Sequence, residues 1–299
     1  VSTPTLAAAP WRLLRLLGLG RSPLSLTAPL VRPLVRPRPE EGIGPVRLRS
    51  AGIDVPLEAE AVAEAFGNAS ERIVVFVPAV DEDDSVWQQH LDQVGGTYAS
   101  RLASLLDWTP VHLLVAPAPP GEDPRSHHAA VAAALQLLVD AWPVDVRRIA
   151  LVGHGTGGLV LRAACAMQGL AAEPWRDRVS DVVLLGTPHL VVPAGRSLVP
   201  AGRRVDEELA GIITDDRVDA VAEPLPGARY VVITPHSRLK QSRLGGAVGE
   251  LFWWRHRLPL RPRRARSLFP EATLHHVPTH ELGLANHPDV HQALMAWLA

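Results

Sequence analysis

The chain has 299 residues, 47% of them hydrophobic, which suffices for one large α/β domain with a sizeable buried core. Lysine and arginine total 30 against 31 acids, a formal charge of -1, so no global field favours nucleic acid or another polyanion. A single cysteine, Cys165, excludes an intramolecular disulfide, and its place on the apolar side of a predicted helix suits a small hydrophobe rather than a nucleophile.

Residues 1–44 read as a basic extension rich in proline, leucine and arginine. Its first 39 residues contain no acid and include Arg12, Arg15, Arg21, Arg32, Arg36 and Arg38. Arginines interrupt each apolar run, so neither a secretory signal nor the ~20 apolar residues of a membrane span is expected, and the predicted location is cytoplasmic. A leucine-rich basic arm also suits peripheral contact with a membrane surface.

From residue 45 to 299 strand-like and helix-like segments alternate. Apolar runs predict strands at Val46 to Arg49, Ile73 to Val77, Val111 to Val115, Ile149 to Val152, Val182 to Leu185, Tyr230 to Ile233 and Thr273 to Val277. Helical patterns fall at Leu57 to Phe66, Tyr98 to Leu106, His128 to Trp142, Leu159 to Gln168 and Pro288 to Leu298. Short, continuous apolar strands separated by helices imply a mostly parallel sheet covered on both faces, a doubly wound α/β architecture. The weakly periodic stretch at 187–229 reads as a cap-like excursion beside the strand ends.

The segment Arg148-Ile-Ala-Leu-Val-Gly153-His154-Gly155-Thr156-Gly157-Gly158-Leu-Val carries the most chemistry. A strand entering a glycine-tight turn from which a helix departs is the setting of a serine hydrolase's nucleophile elbow, where one exposed side chain attacks the substrate. Here that position is Gly155, so the attacking oxygen is missing. The same glycines, Gly153-x-Gly155-x-x-Gly158, also fit a dinucleotide fingerprint. That reading lacks the acid expected about 20 residues on, at the end of the next strand, which reads Leu185-Gly186-Thr187.

From about residue 70 onward the chain resembles bacterial α/β-hydrolases of the lipase and esterase type, including the inositol-deacylase-like lipases. The resemblance runs through Ile73-Val-Val-Phe-Val, Asp84-Ser-Val-Trp87, Trp108-Thr-Pro-Val111, Ala141-Trp-Pro-Val144, Gly153-His154, Gly157-Gly158-Leu-Val160, Leu185-Gly-Thr-Pro-His189, His280 and Asn286-His-Pro-Asp-Val290. It implies an α/β-hydrolase fold with Gly155 at the vacant nucleophile position, Glu250 at the acid position and His280 at the histidine position of the triad. It further implies oxyanion amides at Thr156 and in the loop Pro78-Ala79-Val80, with His154 and His189 lining the pocket. Where such enzymes usually carry His-Gly, this chain has Pro78-Ala79, and a proline supplies no N–H.

Without a side-chain oxygen at 155 no acyl-enzyme forms there. The leading expectation is therefore a pseudoenzyme of serine esterase lineage that binds a small ester, a lipid-like ligand or a partner. The alternatives are an active carboxylic-ester hydrolase, with Thr156 or a His280-activated water as nucleophile, and a dinucleotide-binding protein. No cofactor is implied by the leading expectation. His275, His276, His280, His287 and His291 lie close in sequence, and His287 and His291 have i, i+4 spacing. Pro288 nonetheless places His287 at a helix cap, and no acid or cysteine completes a ligand set, so no metal site is expected.

Overall fold

The computed structural model describes residues 45–80, 82–116, 125–167, 173–187, 224–235, 269, 271–279 and 282–299. Among the described residues eight strands form one sheet in the order β2-β1-β4-β3-β5-β6-β7-β8. They are β1 (Val46–Ser50), β2 (Ile53–Val55), β3 (Arg72–Val77), β4 (Thr109–Val115), β5 (Arg148–His154), β6 (Val179–Leu185), β7 (Arg229–Pro235) and β8 (Thr273–Val277). The strands from β3 to β8 pair in parallel, whereas β1 runs antiparallel to both β2 and β4. The α-helices among the described residues are α1 (Ala59–Ala65), α2 (Leu91–Val94), α3 (Tyr98–Leu106), α4 (Arg125–Asp140), α5 (Thr156–Ala166) and α6 (Pro288–Leu298).

Each expected strand and helix is present, with ends within three residues of those predicted. Helix α5 starts three residues earlier than expected, as β6 and α4 also do: it begins at Thr156, because Gly157 and Gly158, which read as turn residues, lie inside its first turn. Strand β2 is not evident in the sequence because it has three residues and only Val55 is buried. It follows a two-residue turn in which Ala51 and Gly52 have φ of 50° and 83°, the paired positive angles that match a hairpin's twist.

The two faces of the central strands follow the period-2 alternation of buried residues. Ile73, Val75, Val77, Ile149 and Leu151 pack with Val160, Leu161 and Cys165 of α5 and Val131, Leu135 and Leu138 of α4. Val74, Phe76, Ala150 and Val152 face the other way, onto Tyr98 and Leu102 of α3 and Val290, Leu294 and Leu298 of α6. Cys165 is buried in the first cluster, and burial pushes its thiol up to about 12, so it is an inert packing residue.

At the amino ends of β5, β6 and β7 the buried carboxylate of Asp181 receives Arg148 at 3.1 Å, Arg229 at 2.6 Å and the Ser180 hydroxyl at 2.7 Å. Arg229 also donates to the Trp297 carbonyl at 2.6 Å, and Trp108 Nε1 donates to the Leu298 carbonyl at 3.0 Å, so the last turn of α6 is fastened beneath the sheet. The opposite, carboxyl edge of the parallel strands is thereby left for a site.

No helix among the described residues is long and apolar enough to cross a membrane. The extension at 1–44 and nearly all of the excursion at 187–229 lie outside the described residues.

Candidate functional site

Strand order reverses at β3, which has β4 on one side and β5 on the other. The carboxyl ends of two adjacent parallel strands at such a switch point frame a crevice between diverging loops, the usual ligand position in an open α/β sheet. Val77 is in register with Gly153, so the loop after β3 and the elbow after β5 face each other across that crevice.

At the elbow Gly155 has φ 52° and ψ -126°, a conformation that strains any residue with a Cβ. Its N–H donates to the Leu185 carbonyl at 2.9 Å, which ties the bend to β6. The surrounding glycines are required by space. A Cβ on Gly153 would lie 2.4 Å from Gly158 Cα, and one on Gly158 would lie 2.0 Å from Thr187 Oγ1. A Cβ on Gly157 would lie 2.1 Å from the Pro78 carbonyl oxygen and 2.5 Å from that of Val77. The first turn of α5 is therefore pressed against the end of β3 with no side chain between them.

This close approach brings Thr156 to the 78–82 loop, where the Val80 N–H donates to Thr156 Oγ1 at 2.9 Å. The Ala79 N–H donates to Glu82 Oε2 at 3.3 Å, and the Glu82 N–H donates to the Ala79 carbonyl at 2.8 Å. Pro78 has no N–H. Glu82 Oε2 also accepts from His154 Nδ1 at 2.9 Å, an imidazole 1% exposed whose edge meets the Trp87 ring at 6.0 Å between centroids. The carboxylate fixes which ring nitrogen of His154 carries the proton.

Of the site residues expected from the sequence, Gly155, Thr156, Val80 and His154 come together at this edge. Val80 differs from expectation in one respect: its amide is bonded within the protein, to the hydroxyl of Thr156. Glu250, His280 and His189 lie outside the described residues. Glu82, which lies at the same edge through its bonds to His154 and Ala79, was not singled out from the sequence. It belongs to the acidic run Asp81-Glu82-Asp83-Asp84, and its partner His154 is 72 positions away.

Of the clustered histidines, the four that lie among the described residues have individual partners. His287 caps α6, its Nδ1 accepting from the Asp289 N–H at 3.2 Å, and His291 Nε2 donates to Asn286 Oδ1 at 2.7 Å. The Thr234 hydroxyl bonds His276, and His275 meets the Trp297 ring edge-on. Among the described residues no group of three or more His, Cys, Asp or Glu side chains is placed to hold a metal.

Asn286, buried and at φ 64°, donates to the Gln89 carbonyl at 2.5 Å and the Gly96 carbonyl at 3.1 Å. Tyr98 donates to the Leu284 carbonyl at 2.7 Å and accepts from the His287 N–H at 2.6 Å. These bonds anchor the turn that leads into α6.

At the level of sequence neither a family model nor a curated protein matches. Among solved structures the chain is similar to the mature lipase BlEst2 of Bacillus licheniformis, at 17% identity over 76% of this chain and 92% of that one, with a TM-score of 0.50. Esterase B from Lactobacillus rhamnosis is 15% identical over 77% and 75% of the two chains, with a TM-score of 0.47. A lipase-esterase related protein from Clostridium acetobutylicum is 11% identical over 76% and 94%, with a TM-score of 0.46. Likeness at such identities is likeness of architecture. The likeness to the Bacillus lipase, together with the mostly parallel eight-stranded sheet of the described residues and the strand–turn–helix bend at Gly155, establishes that the chain has the α/β-hydrolase fold.

Proposed function

We propose that this protein is a non-hydrolysing relative of the serine esterases and lipases, which holds a small ester or lipid-like ligand in the crevice between the 78–82 loop and the elbow. The observation that carries this reading is Gly155 at the point of the bend, where a nucleophile's side chain would emerge. The bend, the glycines around it and the facing loop are all in place, while the oxygen that would attack an acyl group is not. Removing a triad serine costs on the order of 10⁶-fold in the best-studied hydrolase, with a residual ~10³ to 10⁴ over water.

Two alternatives fare less well. Thr156 as nucleophile would need a hydroxyl turned into the crevice, but the residue is only 7% exposed and its oxygen accepts from the Val80 amide. Dinucleotide binding would need bare glycine backbone open to a pyrophosphate. The faces of Gly157 and Gly158 are instead covered by the Val77 and Pro78 carbonyls and by Thr187, and carbonyl oxygens repel phosphate.

The test uses the unmodified protein. Incubation with p-nitrophenyl butyrate is expected to give no turnover that His280→Ala abolishes, while a non-hydrolysable alkyl ketone analogue of the ester is expected to bind with a measurable heat. Turnover lost in His280→Ala would make the protein a working hydrolase and end the proposal.

A further inference from the structure

The elbow has lost more than its serine. In this architecture an attacked carbonyl's developing negative charge is held by two backbone amides, that of the residue after the nucleophile and one from the loop after β3. Here the first of these residues is Thr156, and the loop's described amides can be counted in full. Pro78 has none, Ala79 donates to Glu82 Oε2, Val80 donates to Thr156 Oγ1 and Glu82 donates to the Ala79 carbonyl. Every described N–H of the loop is taken by an acceptor of the protein itself.

We infer that the Thr156 hydroxyl acts as a built-in occupant of the anion hole, holding the Val80 amide in the place of a substrate oxyanion. This rests on the reading of the elbow as a hydrolase remnant, and it deepens that reading by naming a second change. A hydroxyl oxygen is a competent mimic of an alkoxide acceptor, and at 2.9 Å its bond to Val80 has ordinary amide–oxygen length. Two features make the arrangement stable. The packing of Gly157 against Val77 and Pro78 fixes the distance between helix and loop, and a rotation of the loop away from Thr156 is resisted by Glu82, which ties Ala79 to the buried His154. Thr156 is on this account a positioning residue that keeps the loop donor out of reach of any ligand. The inference has a definite consequence: returning a serine to position 155 restores the attacking oxygen but leaves the transition state one donor short.

The experiment has two arms, run on the full chain. In the first, amide hydrogen exchange at Val80 is compared among the unmodified protein, Thr156→Val and Thr156→Ser. Thr156→Val matches threonine in shape and lacks the acceptor, so exchange at Val80 is expected to quicken by at least ~10-fold, whereas Thr156→Ser is expected to keep the protection. Unchanged exchange in Thr156→Val would overturn the inference whatever the activities. In the second arm, Gly155→Ser is compared with Gly155→Ser/Thr156→Val for p-nitrophenyl butyrate turnover and fluorophosphonate labelling. Freeing one oxyanion donor is expected to raise kcat by ~10²-fold in the double variant, since loss of one such donor costs ~10² to 10³. Equal rates in two active variants would overturn the inference, because the hydroxyl would then not limit the hole. If both variants are silent while Val80 exchange still responds to Thr156→Val, the hydroxyl lock stands and it is the hydrolase-remnant reading of the pocket that fails.

Discussion

At Gly155 the backbone turns through φ 52° and ψ -126°, and glycine adopts this at little cost while any Cβ makes it strained. Gly155→Ala is therefore expected to lower stability by about 1–3 kcal/mol, seen as a fall in melting temperature of about 2–10 °C. Gly157→Ala is expected to be worse than that, because its Cβ would collide with two backbone carbonyls that no rotamer change can move. Gly52, at φ 83° in an open hairpin turn with nothing near its Cβ position, offers the contrast: Gly52→Ala should cost only the conformational strain, about 1 kcal/mol. Thermal unfolding of the three variants ranks them. A Gly157→Ala protein as stable as Gly52→Ala would mean that the helix does not press against the end of β3 as described.

At the scale of elements, the turn into α6 depends on Asn286. Its positive φ is one that asparagine tolerates, and its buried side chain makes three hydrogen bonds, to Gln89, Gly96 and His291, the last fully buried and the other two partly so. Asn286→Ala is expected to cost about 2–4 kcal/mol by leaving two carbonyls and an imidazole N–H unsatisfied, and a urea titration gives the value directly. The elements themselves were largely legible in the sequence. Strands such as Ile73–Val77 are continuous apolar runs between polar turns, and Pro288 marks the start of α6. What eluded sequence reading was pairing across distance. Glu82 with His154, Val80 with Thr156 and Asn286 with Gln89 join positions from 72 to 197 apart, and nothing local in the acidic run or the Pro-Ala-Val loop announces them. Helix α5 began earlier than its periodicity suggested for a related reason: tertiary contact at Gly157 and Gly158 overrides their weak helix propensity.

Over the whole molecule, neutral histidines that are buried or half-buried make the fold sensitive to acid. Burial brings His112 and His291 down to about 4, with Arg49 and Arg101 adding to the respective effects, and burial with His90 nearby also lowers His287. Each is depressed below its unfolded value of 6.5, so the unfolded chain binds protons first. The contribution of His112 and His291 is intact above pH 6.5 and is lost as pH falls through 4, and that of His287 is lost in the same direction; for His112 alone the loss is at most about 3 kcal/mol. Protonation of His287 also removes the acceptor that caps α6. Urea midpoints measured at pH 7, 5.5 and 4 are expected to fall steadily, and His112→Leu, with nothing to protonate on β4, should flatten part of that fall. A pH-independent midpoint would contradict the burial of these rings.

The glycines at 153, 157 and 158 exclude side chains because backbone and side-chain atoms already fill the space, a demand set by folding and indifferent to catalysis. Selection on stability therefore maintains the frame of an elbow whether or not anything reactive stands in it. A glycine signature around a catalytic position is in that sense a fossil of packing. Such a frame persists for reasons of packing, whatever chemistry its central position carries.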